Sequence, residues 1–270
     1  MVEKPERVRI SDQLSRITKL YEFNRQSIRD VDFSSSVLHE WRVVNSTFKN
    51  CIFDNAKMPG YRGYSAVFDT CSFRSSMLRD ATMGAKEKGS KTACAYRGCD
   101  FSAADLRNVS TEYGRFSGCI FAGSRWYITQ TLSAVFEDCD FRDAEIREVR
   151  FDGRRFDSNG LAGLSENKMA GCDFSTARLD GSSFLAIDFR NLTQPLGDRY
   201  VLIDSYPSRV AIAMDRLRAN GSREAAGLAF VFEAEFKAAT AMPQDSVGML
   251  DFGILSETQA NLLAVVFEIA

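Results

Sequence analysis

The chain has one histidine, His39, in 270 residues, and it lacks both a GxxxxGK phosphate loop and a GxGxxG turn. A lone histidine cannot complete a zinc site or a Cys–His nucleophile pair, and without a glycine-rich loop there is no cradle for nucleotide phosphates. Acidic neighbours such as Glu137 and Asp138, or Asp143 and Glu145, fall on outward positions and read as a solvated face. No enzyme activity, cofactor or metal is therefore expected. A one-signed charge is missing too: the net charge of −2 gives no field that would drive direct binding to nucleic acid or to an anionic membrane. The segment MVEKPERVRI has no apolar stretch of the signal-peptide kind, and no run of about 18 apolar residues could span a bilayer. A cytoplasmic location is expected, with the four Asn-x-Ser/Thr triplets at Asn45, Asn108, Asn191 and Asn220 arising by chance.

What the sequence has is a period. Large apolar residues recur at every fifth position: Phe23, Ile28, Phe33, Leu38, Val43, Phe48, Phe53 and Met58, in register with Phe68, Phe73, Leu78 and Met83. Neither a helix nor a flat strand has that spacing. The series restarts at Tyr96, Phe101 and Leu106, and again from Met169 to Phe189, so two insertions interrupt it. Two residues before each large residue stands a small one, as in CIF (51–53), CSF (71–73), CDF (99–101), CIF (119–121), CDF (139–141) and CDF (172–174). A second period confirms the first: Cys51 to Cys71, Cys99 to Cys119 and Cys119 to Cys139 are each 20 residues apart. These cysteines then form one interior column, and the odd total of seven also suits free thiols.

Over residues 23–192 this pattern resembles the pentapeptide-repeat family. The resemblance implies a mainly β fold, a right-handed quadrilateral β-helix with four pentapeptides per coil. Sorting the chain into coils gives a first face from Ile28 to Phe189, a second of seven phenylalanines from Phe33 to Phe174, and a third from Leu38 to Leu179. About seven coils at the ~4.8 Å strand spacing would make a rod on the order of 34 Å long.

The fourth face breaks the rule. Its central slots hold Val43, Gly63, Met83, Thr111, Thr131, Phe151 and Phe184, and Trp41 and Tyr61 stand where small residues belong. Side chains that large are expected to distort the corner. Both insertions, at about 84–93 and 152–168, leave the rod where this face meets the first. Departures from a strong repeat are where a partner surface is expected, since packing requires neither. The candidate contacts are Lys86, Lys88 and Lys91 on the first loop, Arg154, Arg155 and Phe156 on the second, and Arg42, Arg62, Tyr64 and Tyr113 on the face; the alternative is that the loops are tolerated insertions with solvated charges.

Residues 1–22 are expected to form an N-terminal cap, helical over 10–21, and residues 193–270 a helical C-terminal extension. In the extension, Val210, Met214 and Leu217 face Leu228, Phe232 and Phe236 across a turn at Asn220–Gly221, and Ser256 and Gln259 fit the capping box of a last helix at 256–268. That helix either packs on the hairpin or pairs with a second copy as a homodimer.

Two functions fit. One is a protein-protein interaction scaffold that presents the fourth face and the loops. The other follows from a further similarity of YRGCDFSAADLRNVS (96–110), WYITQTLSAVF (126–136) and IDSYPSRVAIAMDRLR (203–218) to the Qnr and MfpA groups. It implies a DNA mimic that protects or inhibits a type II topoisomerase such as DNA gyrase, conferring quinolone resistance. A duplex mimic should be strongly acidic, whereas residues 23–192 carry 23 Lys+Arg and 22 Asp+Glu.

Overall fold

The computed structural model describes residues 8–9, 22–157, 160–162 and 169–269, and at 8–9, 155–157 and 160–162 it describes the backbone alone. The helix expected at 10–21 lies outside the described residues. The chain is a parallel β-solenoid of about six turns with helices at its C-terminal end. Strands of three residues, such as Ser27–Arg29, Thr47–Lys49 and Val67–Asp69, pair in parallel with the coil above and below. The partner is offset by 20 residues, as Ile28↔Phe48↔Phe68 shows. Six such strands stack on the first face, ending at Val135–Glu137, because the chain re-enters from the second insertion through a turn at Met169. Pairing also reaches upstream of residue 23, since Val8–Arg9 lies parallel to Val31–Asp32.

Short sides need tight corners, and the backbone supplies them with a left-handed residue about every fifth position, including Asp30, Ser35, Glu40, Asn45 and Asn50. Asn, Asp, Ser and Gly dominate these positions because their small or self-bonding side chains tolerate positive φ. Inside, the rings stack between coils. Phe33, Phe53, Phe73 and Phe101 follow one another at 4.8 Å with interplanar angles of 1° to 7°. The thiols do more than fill space: those of Cys71, Cys99 and Cys139 each donate to a carbonyl of the preceding coil at 3.5 Å, those of Phe48, Phe68 and Phe116.

The expectation for Trp41 and Tyr61 holds in part. Both turn inward and are buried, and Arg42 and Arg62 keep their register, but in the next coil step the pairing of Arg62–Tyr64 with Thr82–Ala85 slips by one residue. Space for them comes from the fourth-face slots, where a Cβ on Gly63 would sit 2.6 Å from the Tyr61 hydroxyl and 3.0 Å from Cys94 Sγ. The Tyr61 hydroxyl meets that of Tyr96 at 3.4 Å, and burial pushes both phenols, and the Cys94 thiol to about 12, above their ordinary values.

Outside, ion pairs bridge successive coils. Lys49 meets Asp69, Arg74 meets Asp100, Arg115 meets Glu137, and Asp105 gathers Arg79, Arg107 and Arg125. The near-balance of charge is built into these rungs.

The extension holds α1 (Tyr206–Asn220), α2 (Arg223–Ala239) and α3 (Glu257–Phe267). Gly221 ends α1 with φ 74°, the Ser222 hydroxyl accepts from Ala225 N to start α2, and Ser256 and Gln259 form the capping box of α3. A two-stranded antiparallel sheet, Tyr200–Ile203 with Gly248–Asp251, was not legible in the sequence. The last helix packs within the extension, Leu263, Val266 and Phe267 joining the cluster of Met214, Leu217 and Leu228. The extension also closes the lower end of the solenoid, where Phe189 N donates to Val247 O and Asp188 accepts from Val247 N. No helix among the described residues is long and apolar enough to cross a membrane.

Candidate interaction surface on the fourth face

The candidate residues fall into separate pairs. Arg42 lies over the ring of Tyr64 at 5.2 Å and meets Glu22 at 3.7 Å. Arg62 is turned to the backbone, donating to Asp80 O at 2.5 Å and Tyr61 O at 3.2 Å. Lys86 reaches across to Tyr113, its Nζ 5.7 Å from the ring centre, a cation–π contact that ties the first loop to the face. Lys88 and Lys91 are exposed on that loop. The loop is pinned at its base, where Ser65 donates to Thr92 O and accepts from Glu87 N, and an antiparallel bridge joins Lys86 to Ala93.

At the second loop, Arg154 folds back on Asp152 through two hydrogen bonds, which raises the guanidinium's pKa, and its carbonyl accepts from the Ser133 hydroxyl. It braces the loop and leaves little of its charge for a partner. Arg155–Asp157 pairs antiparallel with Gly160–Ala162, so this insertion also begins as a hairpin; the side chains of Arg155 and Phe156 lie outside the described residues.

Between the loops runs a groove that sequence reasoning missed. Its upper part, about 290 Å³, is lined by Thr82, Ala85, Lys86, Ser110, Glu112 and Tyr113. Glu112 also lines the middle part, about 450 Å³, which continues over Ile128, Gln130, Leu132 and Glu148 to Arg150. Arg150 leads into a lower cleft of about 260 Å³ walled by Phe184, Val231, Glu235 and Ile254. The signal for it was available: 110–112, 130–132 and 150–152 flank the fourth-face slots in register.

No family model matches this chain, and no curated protein does. Among solved structures it is similar to HetL, a pentapeptide repeat protein involved in heterocyst differentiation regulation from the cyanobacterium Nostoc sp. strain PCC 7120, at 16% identity over 61% of this chain and 85% of that one, TM-score 0.29. It is also similar to full-length QnrB1, a plasmid-mediated fluoroquinolone resistance protein, at 13% identity over 66% and 89%, TM-score 0.19. A third is the pentapeptide repeat protein Rfr23 from the cyanobacterium Cyanothece 51142, at 10% identity over 64% and 87%, TM-score 0.16. The fold is read from this chain's own register, in which central residues five apart line the interior and pair twenty apart. The chain folds as a pentapeptide-repeat solenoid. In such a solenoid each coil touches only its neighbours, so a face is free to vary without loss of the core.

The lower cleft holds one unusual acid. Burial of α2 against the solenoid pushes the Glu235 carboxyl up to about 7, although it accepts from the Tyr206 hydroxyl at 3.4 Å and Arg150 and Arg154 favour its charge. A carboxyl raised in the folded state binds a proton there that the unfolded chain has released, so the contribution of Glu235 to stability is full below about pH 4.5 and is lost as pH rises through 7. Its partial exposure trims the loss from an upper bound of about 3 kcal/mol to roughly 1–2 kcal/mol. Glu235→Gln keeps the acceptor for Tyr206 and removes the titration. The variant is expected to be more stable than wild type at pH 8.5 and to lose that advantage by pH 4.5 in urea unfolding curves; an equal offset at both values would dismiss the assignment.

Proposed function

We propose that this protein is a non-enzymatic interaction scaffold whose fourth face, flanked by the two loops, holds a protein partner. One observation carries the reading. The other faces are crossed by coil-to-coil ion pairs, whereas from Arg62 to Ser183 the fourth face has none among the described residues and carries two adjoining cavities that meet at Glu112 instead. Loops set on a rigid frame are the usual place for recognition. Deleting residues 86–93 restores the 20-residue spacing between Cys71 and Cys99 without touching the core. Affinity capture from cytosol with wild type and this deletion is expected to differ in specific partners. An identical set from both would sink the reading.

The second face favours another partner class. Its outward positions carry Asp54, Asp100, Asp140, Asp143 and Asp173 against Arg74 and Arg142, so an acidic side exists on a rod that is neutral as a whole. This supports a topoisomerase as the protein partner, met through a groove that ordinarily takes DNA. Protection of DNA gyrase from a quinolone in a supercoiling assay tests it, and failure to protect or inhibit at micromolar protein removes it.

A further inference from the structure

The middle of the groove has an unbalanced charge. Asp152 is held by Arg154 and Lys86 lies on the Tyr113 ring, which leaves Glu112 and Glu148 facing the single cation Arg150. Glu112 and Glu148 line the same 450 Å³ space, and neither has an ion-pair partner among the described residues. They stand on coils two apart, about 10 Å along the axis, at the opposite margins of the face. The floor between them is uncharged: the hydroxyls of Thr129 and Thr131 already donate to Leu106 O and Arg150 O, and Ile128 and Leu132 are apolar.

Resting on the scaffold reading, we propose that this groove seats an extended peptide segment of the partner, with one lysine or arginine side chain held between Glu112 and Glu148. From Thr82 to Arg150 the groove crosses three coil steps, roughly 15 Å, the length of four to five extended residues. Thr82, Ser110 and Gln130 offer neutral polar groups along the line, and the apolar floor takes the stem of a long cationic side chain while its head meets the carboxylates. Charge placed in this way selects among partners more than it adds affinity. An acidic segment would meet two like charges and be refused.

The test uses the full chain and four fluorescein-labelled nine-residue peptides that differ solely at the centre: Arg, Lys, Ala or Glu. Anisotropy is expected to show the Arg and Lys peptides binding at least tenfold more tightly than Ala, with Glu weakest. The Glu112→Gln, Glu148→Gln double variant should bind the Arg peptide no better than the Ala peptide, with a thermal midpoint matching wild type to show that the fold is kept. Gln130→Trp, which fills the floor, should abolish binding of all four. A preference for Glu, no preference at all, or no binding at millimolar protein overturns the inference. If the central residue makes no difference while Gln130→Trp still removes partners from cytosolic capture, the scaffold reading stands and the cation does not. If Gln130→Trp changes neither peptide binding nor capture, both fall.

Discussion

Phe101→Ala is expected to cost roughly 3–5 kcal/mol of unfolding free energy in a chemical denaturation curve. Phe101 has no solvent exposure and is stacked between Phe73 at 4.8 Å and Phe121 at 5.1 Å, with Tyr96 edge-on at 5.7 Å. A narrow tube cannot collapse into the space the ring leaves, because its backbone is fixed on both sides by coils in register, and each neighbouring ring loses contact on one face. The position is central, so the loss divides the interior column into two shorter stacks, and the transition should broaden as nearest-neighbour coupling weakens. A loss below about 1 kcal/mol would mean that the ring column is not what holds the coils together.

Gly63→Leu is the second large effect, and it runs against the repeat. Leucine is a residue the pattern itself would choose at that slot, yet it should destabilise the chain by about 1–3 kcal/mol or more through overpacking. The first added carbon meets the Tyr61 hydroxyl and Cys94 Sγ, and the Tyr61 ring is walled by Trp41 at 5.4 Å and Phe68 at 6.2 Å. Tyr61→Ala alone leaves a cavity and should also destabilise. The double change returns both positions to the pattern used elsewhere, and most of the loss should be recovered, giving an interaction energy above 1 kcal/mol in the mutant cycle. Additive losses would show that the glycine and the tyrosine are not a matched pair.

That pair also shows where the sequence stopped being readable. The phenylalanine ladder, the thiol column and the three helices follow from spacing and capping chemistry, which are local. Trp41 and Tyr61 broke the local rule, and both still fit inside the solenoid because the compensation lies two residues further on, at Gly63, and a coil away, at Tyr96, with a register slip of one residue beside Gly63. Arg62 and Arg154 are candidate contacts by their charge and their place beside irregular segments. Whether an arginine faces a partner or its own backbone depends on Asp80 O and on Asp152, which charge counting does not reveal. The groove escaped notice for a similar reason: Glu112, Gln130 and Glu148 are unremarkable one at a time and acquire meaning when the register sets them side by side. The pairing of Tyr200–Ile203 with Gly248–Asp251 joins segments too far apart for any local signal.

The common corner from which both loops spring has a mechanical corollary. The ladder resumes in phase after each insertion, so the two are rooted on one meridian of the rod whatever their own lengths. Removing a single five-residue side between them would carry the lower hairpin around to a neighbouring side, whereas adding a whole twenty-residue storey would only lengthen their separation by about 5 Å. The distance and bearing between the two arms are thus set by whole-number bookkeeping in the shaft, and a partner gripping both arms would sense a change of phase long before it sensed a change in any one side chain.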